Sequence, residues 1–135
     1  MRPCSAATCK LAGPPVASPA SLAHWRERLP TLAAALGWRG RLLVVTLGAS
    51  GSVALTDTGE VVDQPAWPIQ QRDATGAGDA FGAGLIWSLT RGLPVAEALR
   101  VGNACGALIA AHNGILAHLP DAAAVTAFMA TAGPG

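Results

Sequence analysis

The chain has 135 residues, 51% of them hydrophobic and 13% charged, with a formal net charge of +1. That is enough apolar material for one buried core and too little charge for a disordered chain. Its nine Lys and Arg residues form no dense patch, which argues against a nucleic-acid binder, and no apolar run is long enough to cross a bilayer.

Residues 1–20 are rich in Ala, Pro, Ser and Thr without periodicity and read as an irregular leader. Cys4 to Pro19 is broken by Ser, Thr, Lys, Gly and Pro, so no signal peptide is expected. Three cysteines make no even disulfide set. Cys4 and Cys9 have no His at zinc-finger spacing, and Cys105 falls in a helix interior. Reduced thiols in a cytoplasmic protein are expected. Ser21 is placed to cap a helix from Leu22 to about Leu36, which Pro30 either kinks or splits in two. Gly37 and Gly40 end that region.

Arg41 to Leu47 is a nearly continuous, β-branched apolar run, typical of a strand buried on both faces, as in a parallel sheet. Gly48 to Gly51 turns the chain into an alternating strand, Ser52 to Thr56. Asp57-Thr58-Gly59 is the next turn, and Val61 and Val62 start a further short strand. Asp57, Glu60 and Asp63 read as solvated turn acids. Trp67-Pro68-Ile69 is extended at most, because Pro68 cannot donate to a central ladder. A helix from Ala80 to about Thr90 follows, with Leu85, Ile86, Trp87 and Leu89 as its apolar body and Gly92 as its stop. Pro94 suits the first position of a buried helix, Val95 to His112, ended by Asn113-Gly114. Leu119-Pro120-Asp121 opens a last short helix through Phe128 and Met129, and residues 133–135 should fray. This order suggests an α/β fold with an open sheet.

The stretch Asp73-Ala74-Thr75-Gly76-Ala77-Gly78-Asp79-Ala80-Phe81 carries the chemistry. A Gly-rich turn feeding a helix N-terminus is an anion site, because unpaired N–H groups and the positive dipole end face the ligand. The bland alternative is a helix start with Asp79 as a cap. Gly76, Gly78 and Gly82 can also be scanned as a dinucleotide fingerprint, but that needs a buried strand immediately before it, where Gln70-Gln71-Arg72 stand. Thr46 to Gly51 alone is a β-turn between strands, and Asn103 alone is a helix-surface amide. His24, His112 and His118 show no ligand spacing with a carboxylate, and the four Trp residues read as core or loop anchors.

In combination these features resemble the PfkB/ribokinase family of carbohydrate kinases. Asp73 to Phe81 is similar to the family's second signature, and Thr46-Leu47-Gly48-Ala49-Ser50-Gly51 to its nucleotide-contacting turn. Asn103, followed eleven positions later by Gly114, agrees in order. Ala74 departs mildly, since Thr, Ser or Pro is commoner there. The resemblance implies a ribokinase-like open sheet with flanking helices, of which residues 21–132 form only the C-terminal, nucleotide-binding portion. It implies phosphoryl transfer from ATP, with Mg²⁺, to a hydroxyl of a small sugar-like substrate. Asp79 would be the general base, with Gly76, Ala77, Gly78 and the Asp79 N–H forming an anion hole. Thr46, Leu47, Gly48, Ala49, Ser50, Gly51 and Asn103 would line the nucleotide. Family members with a monovalent-cation (K⁺) site would place ligands at Asp73, Thr75, Ile109, His112 and Gly114. Near His118 the family has Ser or another small residue.

The family also has an N-terminal half with a Gly-Gly sugar-contacting region, a β-sheet lid and a Mg²⁺-organising Asn-x-x-Glu. Neither Asn103 nor Asn113 has Glu three residues on, and Arg26-Glu27-Arg28 does not substitute. The expectation is a truncated or split kinase with little turnover alone, whose exposed sheet edge favours self-association. The alternatives are a non-catalytic nucleotide-binding module and, further off, a nicotinamide-dependent oxidoreductase.

Overall fold

The computed structural model describes residues 20–112 and 120–131. Apart from Ala20, the expected leader lies outside them, as do Cys4, Cys9, Asn113, Gly114, His118 and the tail at 133–135. The chain divides into two compact units, Met1–Pro65 and Ala66–Gly135.

In the first unit one helix, α1 (Ala20–Ala35), packs on a sheet of β1 (Leu42–Thr46), β2 (Ser52–Thr56) and β3 (Val61–Gln64). The strands run in the order β1-β2-β3 and both pairings are antiparallel. A parallel arrangement is excluded by the connection itself: Leu47 to Gly51 is far too short for a crossover. Leu43 pairs with Leu55 and Val45 with Val53, so these four share one face. They form a core with Leu22, Leu29 and Ala33 of α1. Val44 and Ala54, paired on the opposite face, are fully buried too. Burial on both faces is what makes the run Leu42 to Leu47 read as continuously apolar.

Pro30 lies inside α1 and does not split it. Interior Pro costs about 3 kcal/mol. Leu29, beside it, is fully buried, and each such side chain contributes about 1.5–3 kcal/mol, so docking of the apolar stripe outweighs the defect. Ser21 falls within the helix rather than at its cap. Asp63 is no turn acid; it stands in β3 and forms an ion pair with Arg26 of α1.

The second unit is helical: α2 (Ala77–Thr90), α3 (Val95–Ala110) and α4 (Ala122–Thr131). Gly92, at φ 78°, ends α2. Its N–H donates to Leu89 O and the Leu93 N–H to Ser88 O, the paired bonds of a Schellman stop. Pro94 caps α3 from one position before the helix begins. The Asp121 carboxylate accepts the Ala124 N–H at the start of α4. Trp67 anchors the approach to the turn. It is buried, donates Nε1–H to Arg100 O at 3.0 Å and meets Phe128 edge-on at 5.6 Å between centroids.

Only part of the expected apolar body of α2 faces inward. Phe81, Gly84, Leu85 and Ser88 are buried, whereas Ile86 and Trp87 are exposed, with the Arg91 guanidinium over the Trp87 ring at 4.3 Å. The inward face is fixed by close approach to α3. A Cβ on Gly102 would stand 3.0 Å from the Phe81 ring and carbonyl oxygen, and one on Gly84 would stand 2.6 Å from Cys105 Sγ. Burial at this contact pushes the Cys105 thiol pKa up.

Gly102→Ala should therefore destabilise the fold by about 1–3 kcal/mol through overpacking, measured by urea unfolding. Gly82→Ala, whose methyl would meet nothing within 4 Å, should be neutral or stabilising by up to about 1 kcal/mol. Equal effects at the two sites would disprove the close helix contact.

Candidate functional site

The signature stretch forms a turn between Trp67 and α2. Asp73 begins it with an Asx turn, its carboxylate accepting the Thr75 N–H at 3.0 Å. The Thr75 side chain and main chain, in that order of effect, hold the Asp73 carboxyl below its ordinary value. Ala77 N–H then donates to Ala74 O at 3.0 Å, closing a tight turn through Gly76. Gly76 is the N-cap of α2 at φ 83°, ψ −3°, a left-handed conformation that glycine adopts without strain. Among the described residues no side chain caps this helix.

The consequence is a set of donors directed outward. Gly78 and Asp79 are the second and third residues of α2, too early for an intrahelical acceptor. Among the described residues neither N–H has another main-chain partner, whereas the Ala77 N–H is already engaged. Asp79 is exposed in the first turn of α2, and the reading of its carboxylate as a cap does not hold. Gly78 is exposed as well, and a Cβ there would meet nothing. Neither dihedral strain nor packing requires glycine at that position; what its absent side chain leaves clear is the approach to the outward N–H groups.

α3 supports this turn from below. The Arg72 and Asp73 N–H groups both donate to Ala110 O, at 2.7 and 3.1 Å. A Cβ on Gly106 would stand 3.1 Å from Ala77 O. Asp73 and Thr75 are thereby placed at the C-terminal end of the helix that carries Ile109, with His112 just beyond. Ile109 O accepts the His112 N–H at 3.2 Å, and His112 Nδ1 lies 2.8 Å from Leu108 O. A carboxylate beside the carbonyl end of a helix suits a monovalent cation in donor type. Gly114, the remaining expected ligand, lies outside the described residues. Among the described residues no three His, Cys, Asp or Glu side chains gather around one point.

Asn103 is buried on α3 rather than on a helix surface. In the other unit, Thr46 ends β1, and Gly48–Ser50 form a single 3-10 turn. Leu47 N–H donates to Gly51 O at 2.8 Å across this turn. Gly48 (φ 55°) and Gly51 (φ 112°) supply its positive dihedrals; Gly48 and Ala49 are exposed, Ser50 and Gly51 buried. The dinucleotide fingerprint fails, because residues 65–72 before the glycines form no strand. Two supporting residues escaped the sequence reading, Gly102 and Gly106; their Gly-x-x-x-Gly spacing was the available signal. No helix among the described residues is long and apolar enough to cross a membrane.

The profile of the pfkB family carbohydrate kinases matches residues 18–122. An ATP-dependent ribose-1-phosphate kinase from Halopiger xanaduensis is 40% identical over 89 residues, 66% of this chain and 29% of the relative. The Arabidopsis thaliana ribokinase, solved with ribose and ATP, is similar in structure at TM-score 0.67 and 27% identity, over 73% of this chain and 32% of that one. A double-mutant fructokinase from Vibrio cholerae O395, solved with fructose, ADP and potassium ion, is similar at TM-score 0.64 and 32% identity, over 75% and 34%. The fold is thus a ribokinase-like α/β fold in part, and the chain spans about a third of the length of the relatives it matches.

The Asp73 geometry has a pH signature. A folded pKa below the unfolded one, about 3.9, contributes stability above that value, which is lost as pH falls through the folded value. Thr75→Val should move the Asp73 carboxyl back up toward its ordinary range in an NMR titration. Between about pH 6 and pH 3, wild type should lose more unfolding free energy than Asp73→Asn. Parallel losses would show that the bond is not made in solution.

Proposed function

The chain belongs to the pfkB family of carbohydrate kinases, and from that membership we propose that it is the nucleotide-binding, catalytic part of an ATP-dependent kinase acting on a hydroxyl of a sugar or sugar-like molecule. The observation that carries this reading is the uncapped N-terminus of α2, with the Gly78 and Asp79 N–H groups directed outward beside an exposed carboxylate. Phosphoryl transfer asks a protein mainly for positioning and for neutralisation of charge on the transferred group. The outward N–H groups and the helix dipole meet that charge, and Gly76 and Ala77 shape the turn that aims them. Asp79, at the same point, accepts the proton of the attacking hydroxyl. Thr46 to Gly51 in the first unit and, separately, Asn103 in the second are each assigned nucleotide contacts by the resemblance to the family.

Mg²⁺, when bound with the nucleotide, would neutralise charge on the phosphates. K⁺, which the related fructokinase holds, would take Asp73 and the main-chain oxygens of Thr75, Ile109, His112 and Gly114 here. It would neutralise Asp73 and brace the turn. The chain spans about a third of the relatives it matches, none of the residues named above is assigned to the sugar, and the acceptor site is proposed to lie outside them.

Two variants test the assignment. Gly78→Ala should keep or raise the melting temperature, since Ala is the better helix former by up to about 1 kcal/mol, yet weaken ATP binding measured by calorimetry. Asp79→Asn should leave ATP affinity nearly intact and, in an assembly competent for turnover, lower kcat by about 10²–10⁴-fold. Unchanged turnover would exclude Asp79 as the base. ATP consumption by this chain alone, with a panel of sugars and ribosides, should stay at background; robust turnover would overturn the idea that the acceptor site lies elsewhere.

A further inference from the structure

We infer that Gly106 is a positioning residue for the anion turn: with Ala110, one helical turn further along α3, it forms a template that sets the aim of the Gly78 and Asp79 N–H groups. The inference rests on the proposed phosphoryl-transfer reading for its functional consequence, but its structural part stands on contacts alone. Residues four apart on a helix share a face. On this face of α3, Ala110 O accepts the N–H groups of Arg72 and Asp73, which begin the turn. Gly106 offers bare backbone to Ala77 O, at the turn's other end, where a Cβ would stand only 3.1 Å away. The two ends of the turn are therefore gripped by one rigid element. Gly76, between them, supplies the left-handed bend at φ 83°.

Gly106 has an ordinary helical backbone, without the positive φ that would demand glycine on local grounds. In an isolated helix Ala would be the better residue. What glycine permits is the approach of the two backbones. A methyl at this point must push Ala77 away by a few tenths of an ångström. Ala77 is the first residue of α2, so such a shift tilts the donors that immediately follow it. Catalytic and phosphate-binding donors are sensitive to displacements of this size. Gly84 supplies the control. Its contact with Cys105 is tighter still, since a methyl there would stand 2.6 Å from Sγ, yet it lies well along α2 from the turn.

The test uses the full chain and compares Gly106→Ala with Gly84→Ala. Amide NMR spectra without nucleotide read the turn directly. Gly106→Ala should displace the resonances of residues 73–79, while Gly84→Ala should leave them in place and perturb residues near Cys105. Calorimetry with Mg²⁺ then compares ATP with ADP, because the turn is assigned to the terminal phosphate. Gly106→Ala should reduce the ATP-over-ADP preference by about tenfold, whereas Gly84→Ala should keep the wild-type preference even if its melting temperature falls. A loss of stability alone cannot produce that difference in a folded sample. Unmoved turn amides in Gly106→Ala, or equal displacement in both variants, would overturn the positioning role. If wild type shows no preference for ATP, or Gly78→Ala leaves ATP binding unchanged, the phosphate assignment fails, while the amide spectra still decide whether Gly106 holds the turn. Should Gly106→Ala fail to fold, Gly106→Ala in a Gly82→Ala background, whose added methyl meets nothing within 4 Å, supplies the same comparison.

Discussion

The close approach of α2 and α3 is the contact on which the candidate site depends. Helices pack through their side chains at about 8–10 Å between axes, and a missing side chain lets backbone meet its neighbour directly. Gly84, Gly102 and Gly106 do this at successive points along the pair. Phe81 fits over Gly102, Cys105 over Gly84, and the Ala77 carbonyl over Gly106. An interface made of backbone, one aromatic ring and a short cysteine side chain has little rotamer freedom. It gives the start of α2 a firm seat, and an uncapped helix start that binds anions needs one, because its donors cannot adjust as a long side chain can.

That seat also explains the division of labour between the two aspartates. Asp73 accepts the Thr75 N–H through its side chain and is tied through its own N–H to Ala110. Its charge stabilises the turn itself. Asp79 lies six positions later on the exposed side of α2. The same residue type thus closes a turn in one place and stands exposed in the other, and the difference lies in which N–H groups each can reach. The first unit shows a complementary economy. There the hairpin β1-β2 is buried on both faces, and α1 tolerates Pro30 because its apolar stripe docks on that hairpin.

Much of this was legible from residue order, and the errors have identifiable causes. Glycine and proline marked the turns at Gly48 to Gly51, Gly76 and Gly92 and the start of α3 at Pro94, because each acts on its own dihedrals. The hydrophobic body of α2 was misread at Ile86 and Trp87. A helix with apolar residues around most of its circumference offers no single inward face, and the glycines of α3 chose the face bearing Phe81, Gly84 and Leu85. Asp63 looked solvated because its partner Arg26 stands 37 positions earlier. The apolar run of β1 suggested a parallel neighbour, yet burial on both faces arises equally in an antiparallel hairpin.

By itself, then, the sequence determined the elements, the order of the motifs and the family. Those depend on dihedral preferences, hydrophobic period and residue spacing, all of which act within a few positions along the chain. Only the tertiary structure decided which faces are buried, which N–H groups remain outward, and that Gly106 and Ala110 hold the two ends of one turn. These depend on which backbone comes within about 3 Å of which, a distance set by packing between segments about 30 residues apart in the chain, as Ala77 and Gly106 are.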